Sequence, residues 1–96
     1  MHYFYVLYSL KDHRLYKGYS ADPGKRFLKH NMGGTQSTKH RRPLLLIYIE
    51  SFNSKTDALH RERWAKSLEG GPQLKIILQN LNILDELGQL KIHSAG

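Results

Sequence analysis

Residues 3–20 read YFYVLYSLKDHRLYKGYS and hold five of the chain's six tyrosines. Residues 3–9 alternate bulky aromatic and branched side chains, which suit a pleated strand. Lys11-Asp12-His13-Arg14 is polar and turn-like, and residues 15–20 form a second strand that pairs with the first as a hairpin. The alternation puts Tyr3, Tyr5 and Leu7 on one face and Phe4, Val6 and Tyr8 on the other. Tyr16 and Gly18 share a face of the second strand, opposite Leu15, Lys17 and Tyr19. Tyr5 and Tyr16 can then lie side by side with their hydroxyls aimed at one opening. A core strand alone does not call for so many phenols.

Outward from the hairpin, Asp22 and Pro23 mark a helix start, as N-cap and first helical residue. This helix carries Lys25, Arg26, Phe27, Leu28 and His30 and stops near Gly33-Gly34. Residues 35–42 are polar and basic, without apolar periodicity, and read as a loop. Residues 44–49 are continuously apolar and suggest a central strand covered on both faces. Ser54 caps a second helix that Gly70-Gly71 ends. Pro72 opens a third, with Leu74, Ile77, Leu78, Leu81 and Leu84 at helical spacing. The predicted order is β-β-α-β-α-α: an α+β fold with a small three-stranded antiparallel sheet flanked by helices. One domain spans 1–96, with 87–96 expected to be a loose tail.

Composition narrows the function. The chain has 96 residues, 40% of them apolar, no cysteine and a net charge of +7. Disulfide frameworks and cysteine-based zinc sites are excluded. No apolar run approaches the roughly 20 residues of a membrane span, and the N-terminus lacks the pattern of a signal peptide. These features point to a soluble cytoplasmic protein without a membrane partner. The positive balance favours polyanionic partners, nucleic acid first.

Three features stand out against ordinary core patterning. Glu62 falls within the apolar stripe of the second helix, formed by Ala58, Leu59, Ala65 and Leu68. It is either paired with a flanking Arg61 or Arg63, or held as a ligand for a hard cation. Arg26 and His30 stand four apart and share a helix face. A guanidinium suits phosphate, and imidazole moves protons near neutrality, although two solvated polar residues would look the same. The six histidines lack zinc spacing, Gly33-Gly34 is no phosphate-binding loop, and there is no nucleophile elbow.

In order, these residues resemble the GIY-YIG nuclease family. Within it the chain is most similar to small stand-alone members like the N-terminal endonuclease domain of the UvrC repair protein. Tyr3-Phe4-Tyr5 stands for the first signature and Tyr16-Lys17-Gly18 for the second, followed by Arg26, His30-Asn31, Thr38 and Glu62. The resemblance implies a metal-dependent DNA endonuclease that hydrolyses phosphodiester bonds, in DNA repair or processing. Glu62 would bind one Mg²⁺ or Mn²⁺, and Arg26 would hold the scissile phosphate. Tyr16, or Tyr5 beside it, would act on the attacking water, with His30 as proton carrier or phosphate ligand. Gly18 would keep side-chain bulk out of the site.

Lys17, Lys25, Thr38, Lys39, His40, Arg41 and Arg42 are the expected nucleic-acid contacts, on branched or damaged DNA, and a protein partner is another source of specificity. The first signature lacks its Gly-Ile, Lys17 replaces Ile in the second, and Tyr19 stands where UvrC-like relatives carry lysine. Asn80 and Asn82 are candidates for a late asparagine that some members use. Two alternatives accompany the enzyme: a non-catalytic nucleic-acid-binding or partner-recruiting module of the same fold, and an assembly protein using the Leu74 to Leu84 face.

Overall fold

The computed structural model describes residues 1–91. Among them, β1 (His2–Ser9), β2 (Leu15–Ser20), α1 (Pro23–Asn31), a short 3₁₀ turn (Lys39–Arg41), β3 (Leu44–Phe52), α2 (Lys55–Lys66) and α3 (Gly70–Asn80) follow in that order. The strands make one antiparallel sheet in the spatial order β2-β1-β3. The α+β class and its element order stand as read from the sequence.

The central strand is β1, not the apolar run that forms β3. Phe4, Val6 and Tyr8 are buried on one face with Ala65, Leu74, Leu78 and Leu84, beneath α2 and α3. Tyr5 and Leu7 are buried on the other face with Leu44, next to Tyr16 and Phe27. β3 is an edge strand, and Ile49 remains 44% exposed. Its run of Leu and Ile imitates a strand covered on both sides, while β1 earns that position through alternation of large rings. A bulge falls between Val6 and Leu7 in the β1–β3 pairing.

Both predicted N-caps form. Asp22 Oδ1 accepts from the Lys25 amide at 3.1 Å, and Ser54 Oγ accepts from the Asp57 amide at 3.0 Å. The join between α2 and α3 differs from the sequence reading. α2 ends at Lys66, and Gly70-Gly71 open α3 instead of closing α2. A β-carbon on Gly70 would overlap the Trp64 carbonyl, so the tight turn requires glycine there. Leu68, assigned to the apolar stripe, sits in this turn and is 99% exposed. Leu84 lies beyond α3 yet is buried, whereas Leu81 is exposed. Leu74, Leu78 and Leu84 are thus consumed by the chain's own core, which removes the basis for an assembly face.

The segment from Leu87, expected to be loose, is tied down as far as Lys91. Leu84 bridges to Leu90, the Lys91 amide donates to the Ile83 carbonyl at 2.9 Å, and Leu90 packs on the core. The rest of the expected tail, 92–96, lies outside the described residues. No helix among the described residues is long and apolar enough to cross a membrane.

Candidate active site

The register of the hairpin builds the site. Tyr5 pairs with Gly18, and Leu7 with Tyr16, so the Tyr5 ring leans across Gly18 toward Tyr16. A β-carbon on Gly18 would lie 2.5 Å from the Tyr5 hydroxyl and from Cζ. Glycine is therefore required to seat that ring. The Tyr5 and Tyr16 ring centroids are 6.4 Å apart, and the His30 ring lies 4.9 Å from Tyr16 and 6.0 Å from Tyr5.

His30 corrects the expectation of a solvated or phosphate-binding residue. It is fully buried. Nε2 is hydrogen-bonded to the Tyr5 hydroxyl at 2.9 Å and Nδ1 to Thr38 Oγ1 at 2.7 Å. Burial first, then the nearby Arg26 and Lys29 cations, lowers its pKa from the ordinary 6.5. A neutral imidazole has one donor and one acceptor, so both bonds are satisfied in a single relay direction. His30 braces Tyr5 and has no nitrogen left for a substrate. Thr38, expected on the nucleic acid, is also fully buried and serves this same chain of bonds.

Tyr5 is held in its protonated form. Burial, followed by Tyr16, pushes its phenol up to about 12; Arg26 lies near enough to oppose the rise and Glu62 near enough to add to it. Arg26 from α1 and Glu62 from α2 thus both act on the Tyr5 phenol, Glu62 the more weakly. Tyr8 and Tyr19 are also committed to histidines, His13 at 2.9 Å and His2 at 2.7 Å. The Tyr16 hydroxyl, by contrast, makes no hydrogen bond among the described residues. Sequence reading gave no means of separating Tyr16 from Tyr5.

Glu62 is not sealed by arginine. Arg61 turns to Glu50 at 2.7 Å and lies 4.0 Å over the Trp64 ring. The Glu62 side chain is 22% exposed, and its nearest cation is Lys66, at 3.3 Å on the same helix. Such exposed lysine pairs are worth roughly 0.3–0.5 kcal/mol and yield easily to a stronger partner. Among the described residues no three His, Cys, Asp or Glu side chains gather into a metal site. A single accessible carboxylate does not fit zinc, which needs three or four protein ligands. It does fit Mg²⁺ or Mn²⁺, which retain water and take further oxygens from a phosphate.

The expected nucleic-acid contacts divide. Lys25, Arg26 and Lys29 line one groove beside Asp22. Lys39, His40 and Arg42 line another with Lys11. Arg41 is withdrawn: its Nε donates to Asp12 at 2.8 Å, and that contact holds the Asp12 carboxyl down to about 2. Arg42 also spends Nε on the Lys39 carbonyl at 2.9 Å. Asn31 clamps the start of β3, bonding the Leu44 amide and carbonyl at 3.0 Å each. Asn82 accepts from Lys91 at 3.1 Å.

The comparisons agree with this architecture. A family model described as the GIY-YIG catalytic domain matches residues 1–71, and the chain belongs to that family. It is similar to the UPF0213 protein SSP2268 of Staphylococcus saprophyticus, 46% identical over 77 residues that make up 79% of this chain and 93% of the relative. It is also similar to the UPF0213 protein YazA of Bacillus subtilis, 46% identical over 68 residues, or 70% of this chain and 68% of that protein. The solution NMR structure of the UPF0213 protein BH0048 from Bacillus halodurans is 35% identical, with a TM-score of 0.50, over 79% of this chain and 83% of that one.

Proposed function

We propose that this chain is a divalent-metal-dependent endonuclease that hydrolyses phosphodiester bonds of DNA, in repair or processing. The observation that carries the reading is the meeting of four groups: Tyr16 with its hydroxyl uncommitted, Tyr5 braced beside it, and Arg26 and Glu62 both close enough to bias the Tyr5 phenol. Packing does not require a guanidinium and a carboxylate to flank two phenols at the sheet surface.

Each residue then has a task that its surroundings support. Arg26, exposed and without a carboxylate partner among the described residues, binds the scissile phosphate and offsets charge as it grows in the transition state. Tyr16 orients the attacking water and, as the phenolate, accepts its proton, so that the water oxygen bonds to phosphorus as the leaving oxygen departs. Tyr5 stays protonated and holds position as a hydrogen-bonded neighbour, because its phenol is pushed far above neutrality. His30 and Thr38 act behind it as positioning residues. Glu62 would hold the divalent ion, which supplies Lewis-acid stabilisation of the leaving oxygen.

One contact favours the alternative of a non-catalytic binding module: Lys66 stands 3.3 Å from Glu62, where it competes with a cation. Supercoiled plasmid, single-stranded DNA and branched DNA incubated with Mg²⁺ or Mn²⁺ separate the two readings. Wild-type cleavage that Glu62→Gln and Arg26→Ala abolish, with both variants folded, supports the enzyme. Binding without cleavage across metals and substrates identifies the module. Equal cleavage by wild type and Glu62→Gln defeats the nuclease assignment.

A further inference from the structure

Away from the four converging groups, His13, Arg14, Lys17 and Lys75 gather around a pocket of about 280 Å³ walled by Leu15 and Leu87. Lys17 projects from the β2 face opposite Tyr16 and Gly18, and it is half-buried. Among the described residues no carboxylate forms an ion pair with Arg14, Lys17 or Lys75. Burial, then Lys75 and then Lys66, lowers the Lys17 pKa from its ordinary value. Like charges brought together without a counter-charge destabilise one another. His13 is fixed at the rim by its bond to the Tyr8 hydroxyl.

The pocket is also joined to the active site by charge. Lys66 lies 3.3 Å from Glu62 and 6.0 Å from the centre of the Tyr16 ring, and its field reaches Lys17. Lys66 therefore stands beside Glu62 and Tyr16 on one side and acts on Lys17 of the pocket on the other. A cavity of this size is small for a drug-sized ligand, at the lower end of the roughly 300–1,000 Å³ usual for those. It suits a phosphate with its attached sugar.

We propose that His13, Arg14, Lys17 and Lys75 form a second phosphate-binding pocket, which holds a backbone phosphate of the bound nucleic-acid strand away from the bond being cut. The identity of the strand rests on the nuclease reading; anion binding by the pocket does not.

The test is an NMR titration of the full isotope-labelled chain, without metal, using inorganic phosphate in one arm and a short thymidine oligonucleotide in the other. The oligonucleotide is expected to shift the amides of Lys17 and Lys75 together with that of Arg26. Lys17→Gln/Lys75→Gln is expected to lose the pocket shifts, keep those around Arg26, and flatten the plot of log affinity against log salt by about 0.7, the contribution of the one single-strand phosphate that the pocket holds. Arg14→Gln, in the exposed segment before β2, is expected to take away part of that change and weaken the pocket shifts, and serves if the double variant fails to fold.

Shifts confined to α1, or an unchanged salt slope in the folded double variant, overturn the proposal. Pocket shifts with phosphate but none with the oligonucleotide overturn the strand assignment and identify a free-anion site. Oligonucleotide in the pocket without any cleavage by wild type supports the pocket while defeating the nuclease. Cleavage and binding unaffected in Lys17→Gln/Lys75→Gln defeat the pocket alone.

Discussion

At the scale of single residues, Gly18 and Tyr5 act as one unit, because the ring of one occupies the space that a side chain on the other would fill. Gly18→Ala places a methyl 2.5 Å from the Tyr5 hydroxyl, and the backbone on that side is a paired strand with little freedom to retreat. Overpacking of this kind costs about 1–3 kcal/mol. Denaturant unfolding is expected to show that loss; an unchanged midpoint would mean that Tyr5 is loosely held.

His30 gives a pH signature. Its pKa is lowered in the fold by burial, Arg26 and Lys29, so the folded chain binds fewer protons there than the unfolded chain. Its contribution to stability is full above the ordinary 6.5 and is lost as pH falls through the lowered value. Unfolding free energies across this range should fall less steeply on acidification for His30→Gln than for wild type, and matching slopes would show that His30 does not carry the effect. The order Tyr5, Tyr16, Arg26, Glu62 was legible because core packing alone seldom puts those residue types in that succession and at those spacings. The inward turn of His30 and Thr38 was not, since polar residues in a helix and a loop ordinarily face water.

Among the elements, the strands and helix starts followed local rules that act over a few residues: alternation in β1 and β2, a capping side chain before α1 and α2. What failed depends on contacts distant in sequence. Which strand is central depends on what covers each face, and composition alone made β3 look more buried than β1. The Gly70-Gly71 pair reads equally as a stop or a start. The close approach to the Trp64 carbonyl, a tertiary constraint, makes it a start.

This boundary has a measurable consequence. Leu74 is buried at the start of α3, and Leu74→Ala is expected to cost about 2–5 kcal/mol. Leu68→Ala, in the exposed turn, is expected to stay within ~0.5 kcal/mol of wild type. Comparable losses for the two, measured by denaturant unfolding, would contradict the packing of α2 and α3.

For the whole molecule, the net charge of +7 is a sum that includes cations in different situations, and that partition could not be seen in a sequence. Arg41 is bound to Asp12, 29 residues away, and Arg61 to Glu50 and Trp64. These guanidinium groups fasten the loop before β3 and tie α2 to β3. Lys25 and Lys29 instead line an open groove with Arg26 and make no ion pair among the described residues. If nucleic acid binds as proposed, only cations that release counterions from its phosphates steepen the dependence on salt, by roughly 0.9 per duplex contact.

Lys25→Gln/Lys29→Gln is therefore expected to flatten the log affinity against log salt plot for duplex DNA by between about 1 and 2, with thermal stability nearly unchanged. Arg41→Gln should do the reverse, lowering thermal stability through the loosened loop while leaving the slope intact. Fluorescence anisotropy across a salt series, run on Glu62→Gln so that DNA is not consumed, measures both slopes. Equal flattening by the two substitutions would mean that the Arg41 to Asp12 pair opens on binding and that total charge, not its placement, governs the encounter.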